Sequence, residues 1–312
     1  MNVVNVVPMS HSTIPPSAPS ASHTPVLRNE IVELLAPRSG GLYVDATVGA
    51  GGHAEALLAA GAGHLIGLDR DPLALELSDA RLSRFDDRVQ LRHAAFADIR
   101  DELDELGVDR VDGILADLGV SSMQLDDPER GMSFRGAGPL DMRMNPEAGE
   151  TALELIERLD VDELTELIGK LGEERRARRV ARCIKQAEER GGLTDTLALR
   201  RAIVKAVGPS RVGGVDPATR TFQALRIAVN QELVQLQRLL ETAAACLVPG
   251  GLLAIISFHS LEDRAVKRVF KDRGTWEALT KKPITASEDE IDDNPRSRSA
   301  KLRVARHRGV DA

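Results

Sequence analysis

A glycine-rich turn and a nearby acid are the groups in this sequence that could hold a nucleoside-containing cofactor. The glycines at 49, 51 and 52 follow an apolar run and precede an alanine-rich segment, an order typical of strand, turn and helix. Such glycines let a ligand contact the backbone, and the helix N-terminus behind them offers free N–H groups. Asp69 ends a second apolar run, where an acid is placed to accept hydrogen bonds from a ribose diol.

The identity of the cofactor depends on two later features, because the glycine pattern alone also fits a nicotinamide enzyme. Asp117 ends a fourth apolar run, and residues 247–251 (Leu-Val-Pro-Gly-Gly) precede another at 252–256. Together with the turn and Asp69, these features are similar to those of S-adenosylmethionine (SAM) methyltransferases. A tight turn without a ligand would explain the glycines, but it would leave the acids at two strand ends unexplained.

Composition sets limits on the class of protein. The chain has 312 residues, a hydrophobic content of 42% and a net charge of −7, which favours a globular protein without a uniformly basic surface. Cys183 and Cys246 lie far apart with no metal-binding spacing, so we predict no metal site. The sequence contains no run of about 18 apolar residues, so we predict no membrane span. Residues 1–22 are interpreted as a disordered tail, and the protein as cytoplasmic.

Alternating strands and helices predict an α/β fold with a parallel sheet and crossover helices. The periodicity of apolar residues places four strands in the first part of the chain and a fifth much later. The predicted strands are 42–46, 64–68, 89–93, 111–116 and 252–257.

A helical domain inserted after the fourth strand accounts for the long gap before the fifth. Residues 126–150 have the composition of a loop, whereas 151–207 show helical spacing. The chain returns to the sheet near Asp216, and one long helix over 218–247 then leads into strand five. The predicted organisation is a discontinuous cofactor-binding domain (23–125 and 216–312) interrupted by a mainly helical substrate-recognition domain (126–215).

The predicted insert carries a concentration of positive charge. Between residues 173 and 211 there are eleven Lys or Arg and five acids, a net charge of +6 in a chain of −7. This asymmetry favours contact with nucleic acid, with an ordinary solvated helix face laced by Glu–Arg pairs as the alternative. The C-terminal run from Arg296 to Arg308 is a second basic stretch.

A series of longer motifs resembles the bacterial RsmH (MraW) family. In order they are His-Thr-Pro-Val-Leu at 23–27, the segment 45–53, Asp-Leu-Gly-Val-Ser-Ser at 117–122 with Gln-Leu-Asp at 124–126, Arg-Gly-Met-Ser-Phe at 130–134, Gly-Pro-Leu-Asp-Met-Arg-Met at 138–144, Pro-Ala-Thr-Arg-Thr-Phe-Gln at 217–223, and Ser-Phe-His-Ser-Leu-Glu-Asp-Arg at 257–264. The resemblance covers about residues 23–308. It departs at Asp216, where the family usually has His.

The resemblance implies a class I SAM methyltransferase with a Rossmann-like sheet and an inserted helical domain. It further implies methylation of the N4 amine of a decoding-centre cytidine in 16S rRNA, with 16S rRNA or the small ribosomal subunit as partner. A monomer and a homodimer both stay open. The positions implied to bind SAM are Gly51, Gly52, His53, Asp69, Phe96, Asp117 and Gln124.

Asp117 is the residue that we consider for chemistry, because the N4 lone pair of cytosine is delocalised into its ring. A carboxylate or a backbone carbonyl that accepts an N4–H bond would orient the amine. For Asp117 we favour SAM binding, with orientation of the amine as a second role and SAM binding alone as the alternative. The target base must also leave its stack. Candidate substrate contacts are Arg130, Phe134, Arg178, Arg179, Arg182, Arg220, Phe258 and His259, with packing as the alternative for the two phenylalanines and His259.

Three other functions stay open at this point. A nicotinamide-dependent oxidoreductase would bind NADH and not SAM. A ribosome-assembly factor would bind RNA with a vestigial cofactor pocket, although the intact glycines and acids speak against decay. A methyltransferase acting on DNA or protein fits the basic insert as well as an RNA enzyme does, and only the family resemblance selects rRNA.

Overall fold

The computed structural model describes residues 25–209 and 215–309 of the chain. The predicted tail at 1–22, the start of the first family motif (His23 and Thr24) and Arg211 lie outside the described residues. Within the described ranges, none of the helices has the length and apolar character needed to cross a membrane.

One seven-stranded sheet organises the described residues, in the order β3-β2-β1-β4-β5-β7-β6. The first five strands along the chain run parallel, and β7 lies antiparallel between β5 and β6. The predicted α/β fold is therefore confirmed, and β6 and β7 are additional. The strands are β1 (Leu42–Asp45), β2 (His64–Asp69), β3 (Val89–His93), β4 (Val111–Asp117), β5 (Leu247–Ser257), β6 (Trp276–Ala278) and β7 (Lys301–His307).

Helices cover both faces of the sheet. Alternate strand residues point to opposite sides, and both sets are apolar, so each face needs a covering layer. Val44 and Ile114 belong to one apolar core, whereas their neighbours Tyr43 and Leu115 belong to the other. The helices before the insertion are α1 (Arg28–Leu35), α2 (Gly52–Ala59), α3 (Pro72–Leu82), α4 (Ile99–Glu105) and α5 (Ser122–Asp126), with short 3-10 turns at Ser83–Arg88, Phe96–Asp98 and Pro128–Arg130.

The insertion forms a separate helical unit with its own apolar core. Three of its helices begin at side-chain caps, formed by Thr151, Asp160 and Asp195. Glu173, just after α7, accepts hydrogen bonds from Ser260 and Arg264 and so joins this unit to the sheet. The helices of the unit are α6 (Ala152–Arg158), α7 (Val161–Gly172), α8 (Ala177–Glu188), α9 (Thr196–Val207) and α10 (Thr219–Val229).

The predicted single helix over 218–247 is wrong, since two helices occupy this stretch. After α10 the chain bends at Gln231, whose φ is 51°, and α11 (Glu232–Cys246) begins. Asn230 holds the bend: its side chain accepts from the Met144 N–H and donates to the Met142 carbonyl, both at 2.7 Å. Because α10 packs in the helical core and α11 against the sheet, we propose that the helical unit extends to Val229, beyond the predicted boundary at 215.

The C-terminal basic run lies partly in the sheet, and several of its charges are paired with acids. Arg303 of β7 pairs with Asp263 at 2.6 Å, and Arg306 pairs with Glu277 at 3.1 Å. These two arginines are therefore not part of a free basic patch. The remaining elements are α12 (Ser260–Val269), α13 (Glu288–Asp293) and a 3-10 turn at Pro295–Ser299.

Candidate active-site cleft

A cleft opens at the edge of the sheet where the parallel strands β1, β2 and β4 end. The turn after β1, the acid at the end of β2 and the loop after β4 all line it, as expected where carboxyl ends of parallel strands meet. Six of the seven residues predicted to bind SAM border this cleft: Gly52, His53, Asp69, Phe96, Asp117 and Gln124.

The seventh, Gly51, does not border the cleft. It has a φ of 79°, and a Cβ there would lie 3.3 Å from Ser78 and Leu82 of α3. Gly51 thus permits the close approach of α2 and α3, and its contact with SAM stays a prediction. Gly52 behaves differently, because a Cβ on it would lie 2.5 Å from Pro25 Cγ, across the wall of the cleft.

Asp69 is held in place by the turn that it faces. Its Oδ2 accepts from the Gly49 N–H and its Oδ1 from the Asp71 N–H, each at 2.9 Å. Burial raises the pKa of Asp69 above its ordinary value, although these two N–H groups act against the shift. Each carboxylate oxygen has two lone pairs, so Asp69 retains capacity for a ribose diol.

Gln124 lies at the centre of a buried polar cluster beside the cleft. Its Nε2 donates to Asp71 Oδ2 at 2.8 Å, and its Oε1 accepts from the Ser121 N–H at 3.1 Å. Arg130 donates to the same Asp71 oxygen at 2.9 Å and to the Met144 carbonyl at 2.6 Å. Arg130 is a predicted substrate contact, but in the structure its guanidinium donates to these internal acceptors.

Asp117 combines exposure to the cleft with an unmatched acceptor. Its Oδ1 is buried and has no hydrogen-bond partner within the described part of the chain, and its Oδ2 lies 3.8 Å from His53 Nδ1. Burial, followed by the charges of Asp45 and Glu262, raises the pKa of Asp117 well above its ordinary value. A buried carboxyl oxygen without a donor suits a ligand that brings its own N–H or positive charge.

Asp45 at the end of β1 and Thr47 in the turn after it support Asp117, and neither was predicted from the sequence to have a role. Thr47 Oγ1 accepts from the Asp117 N–H at 2.7 Å, and the Thr47 N–H donates to Asp45 at 3.3 Å. Burial raises the pKa of the fully enclosed Asp45 to about 7. The signal was present in the sequence, because Asp45 ends a predicted strand just as Asp69 and Asp117 do.

The N-terminus of α12 forms a third wall of the cleft. Phe258 borders it, whereas His259 caps the helix: its Nδ1 accepts from the Glu262 N–H at 3.4 Å. Glu232, His259 and Glu262 have ligand atoms within 4.8 Å of one another, a spacing that could hold a metal ion. However, Arg226 donates to both Glu232 oxygens, and an Nδ1 that accepts leaves the proton on Nε2. We therefore interpret this cluster as ion pairs and a helix cap.

The remaining predicted substrate contacts lie on the helical unit. Arg178, Arg179 and Arg182 are exposed on α8, as their proposed contact with RNA requires. Arg220 is exposed as well and donates to the Glu173 carbonyl at 3.3 Å. Phe134 instead packs edge to face on Phe222, with ring centroids 4.9 Å apart, which agrees with the packing alternative.

Asp216, where the resembled family usually has His, has a structural role. Its Oδ2 accepts from Arg200 at 2.7 Å, and its Oδ1 accepts from the Ala218 N–H at 2.9 Å, just before α10. Asp216 therefore ties Arg200 of α9 to the backbone at the start of α10.

The residues that line the cleft fit SAM. Gly52 lines the cleft without a side chain, Asp69 can hold a ribose, and Phe96 offers a ring for a purine. The unmatched Asp117 oxygen suits a donor molecule that carries positive charge.

Comparisons with known proteins agree with this interpretation. A curated relative from Sorangium cellulosum (strain So ce56), named ribosomal RNA small subunit methyltransferase H, is 62% identical over 309 residues, which are 99% of this chain and 98% of the relative. A relative of the same name from Synechococcus sp. (strain JA-2-3B'a(2-13)) is 52% identical and covers 91% of each chain. The model of the MraW methylase family matches residues 20–308. The chain therefore belongs to the MraW methylase family, a family of SAM-dependent methyltransferases.

Proposed function

We propose that this protein transfers the methyl group of SAM to the N4 amine of a decoding-centre cytidine in the 16S rRNA of the small ribosomal subunit. The names of the relatives support small-subunit rRNA as the substrate. The observation that carries the choice of an amine is Asp117, whose buried Oδ1 has no donor in the described part of the chain.

The role of Asp117 is to accept one N4–H bond and to orient the amine toward the methyl group. When bound, SAM supplies a methyl group already activated by its sulfonium, so alignment and exclusion of water provide much of the rate. Transfer forms the N4–methyl bond, breaks the sulfur–methyl bond and releases one proton from N4. Asp117 receives that proton, since its raised pKa suits a group that binds a proton.

Phe258 is placed to hold the base beside Asp117. It borders the cleft, and its ring lies 3.4 Å from the position of a Cβ on Gly119, directly after β4. A flipped base can stack on such a ring while its amine reaches the carboxylate. Phe258 therefore remains in the proposed substrate site.

The positions of the cysteines favour an amine over a ring carbon as the acceptor. Methyl transfer to C5 of cytosine needs a nucleophile that first adds to the ring, commonly a thiolate. Cys183 packs against the helical core and Cys246 is fully buried beneath the sheet, so neither borders the cleft. Direct attack by the N4 amine requires no such thiol.

The exposed arginines of α8 supply the proposed surface for the RNA backbone. Arg178 has one acid nearby, Asp162 at 3.4 Å, and Arg179 and Arg182 lie exposed on the same helix. Positive charge in this arrangement attracts phosphates independently of the RNA sequence. The target nucleotide must therefore be selected by contacts in the cleft.

The test is identification of the modified nucleoside. Small-subunit RNA from cells that lack the protein is incubated with purified protein and labelled SAM, then digested and analysed by mass spectrometry. We expect N4-methylcytidine at one decoding-centre position and its absence without protein. Label on 5-methylcytidine, on a different nucleotide or on protein would overturn the proposal. Free 16S rRNA and assembled subunits are compared side by side to establish which form is the acceptor.

A further inference from the structure

Arg81 is a cation at the wall of the cleft that the proposed reaction does not use. It lies in the last turn of α3, and its side chain is 28% exposed. Its Nη1 lies 3.1 Å from the position of a Cβ on Gly52. The guanidinium is therefore directly beside the glycine turn that lines the cleft.

Of the three arginines among the described residues that line the cleft, Arg81 alone lacks a hydrogen bond. Arg70 donates to the Asn230 carbonyl at 3.0 Å, and Arg296 pairs with Asp126. The charged neighbour of Arg81 is Glu55, at 3.9 Å from its Nε, which is too long for a hydrogen bond. Glu55 is moreover bound by Arg84 at 2.9 Å.

The charges of SAM call for a cationic hydrogen-bond donor in the site that binds it. The molecule carries a positive sulfonium, a positive ammonium and one negative α-carboxylate. The carboxyl of Asp117 borders the cleft and suits a positive group, but the carboxylate of SAM needs a donor of opposite charge. Arginine meets a carboxylate with two parallel N–H bonds, an arrangement stronger than a bond between neutral groups.

We propose that Arg81 binds the α-carboxylate of the methionine moiety of SAM. The carboxylate then lies next to Gly52, and the guanidinium anchors the end of the donor that does not react. This inference goes beyond the proposed function, because it concerns the donor and holds for any acceptor. Its test is accordingly a binding measurement that contains no RNA.

The experiment compares two ligands on two variants by calorimetry. The ligands are SAM and decarboxylated SAM, which keeps the sulfonium and the ammonium but lacks the carboxylate. For Arg81→Met we expect the affinity for SAM to fall about 10- to 100-fold, as for the loss of hydrogen bonds between charged groups, with the affinity for decarboxylated SAM unchanged. Arg84→Met is the matched control, since it removes an arginine that also pairs with Glu55, and it should bind both ligands normally.

Two results would overturn the proposal. An equal loss for both ligands would mean that Arg81 only shapes the cleft, and an unchanged affinity for SAM would mean that it makes no contact. The melting temperature of each ligand-free variant reports whether it folds. If Arg81→Met is unstable, Arg81→Lys replaces it. The lysine keeps the positive charge but cannot donate two parallel N–H bonds. For the proposal to stand, this variant must lose affinity for SAM but not for decarboxylated SAM.

Discussion

His53 Nδ1 lies 3.8 Å from Asp117 Oδ2, while Nε2 of the same ring lies 2.8 Å from the Val26 carbonyl oxygen. A carbonyl only accepts, so Nε2 carries the proton of the neutral ring and Nδ1 presents a lone pair to Asp117. The ring thus faces the carboxyl of Asp117 with an acceptor atom, and we propose that these two groups together hold the proton that leaves the acceptor amine.

The first prediction concerns the carboxylate of Asp117. Asp117→Asn keeps the shape of the side chain but removes the proton acceptor, so we expect single-turnover methyl transfer to slow by about 100-fold or more. Binding of SAM should weaken far less, which calorimetry checks. A variant that methylates at the normal rate with SAM saturating would remove Asp117 from the chemistry.

The second prediction concerns stability and pH at Asp45. Its pKa is about 7 in the folded protein against an ordinary value of 3.8, so the folded state retains the proton longer than the unfolded chain. This contribution to stability is fully present below the unfolded pKa and is lost as the pH rises through about 7. Without SAM, the free energy of unfolding of Asp45→Asn relative to wild type should therefore rise by about 3 kcal/mol from pH 5 to pH 8.

Denaturant titrations of both proteins at the two pH values measure this difference. The Asn side chain keeps an oxygen that can accept from the Thr47 N–H. The fold of the Asp45→Asn variant should therefore be preserved. A difference between the two proteins that does not change with pH would show that Asp45 does not titrate in this range.

The third prediction concerns discrimination between SAM and its demethylated product. Asp45 has a pKa of about 7, so raising the pH through that value ionises it, and its negative charge favours the sulfonium that only SAM carries. The ratio of SAM to product affinity should thus rise as the pH is raised from about 6 to about 8.5. Calorimetry with SAM and with its product measures this ratio. If the two affinities change with pH in parallel, the carboxyl charge does not discriminate between the ligands.

The fourth prediction concerns space over the glycine turn. Gly52→Ala places a Cβ 2.5 Å from Pro25 Cγ and 3.1 Å from Arg81, so the wall of the cleft must shift. Overpacking of this kind costs about 1–3 kcal/mol, and we expect SAM affinity to fall about 10-fold or more. Gly136→Ala is the control, because a Cβ there meets nothing within 4 Å and its effect should be negligible.

The fifth prediction concerns the basic face of α8. The combined replacement of Arg178, Arg179 and Arg182 by Gln should weaken RNA binding and lower the salt dependence of the affinity by about one unit per lost phosphate contact. SAM affinity should not change. Replacement of Arg238, Lys267 and Lys271 removes the same charge elsewhere on the surface and is the control. Equal behaviour of the two triple variants would contradict a specific RNA face on α8.

Local order along the chain determined much of the fold. Strands that alternate with helices predicted the parallel part of the sheet, and the glycines and strand-end acids predicted the cleft, because carboxyl ends of parallel strands meet at one edge. The run from 218 to 247 shows where periodicity falls short. Its apolar spacing continues without interruption, but α10 and α11 bury their faces in different cores, which only long-range packing decides.

Tertiary structure alone decided what each polar side chain does. Arg130 and Arg178 are the same residue type in the sequence, yet one is held by buried Asp71 and the other is exposed on α8. Arg81 gave no signal in sequence, because its place beside Gly52 depends on how α3 crosses α2. Residue types and their order establish which chemistry is available, whereas the desolvation and pairing that direct it depend on neighbours distant in the chain.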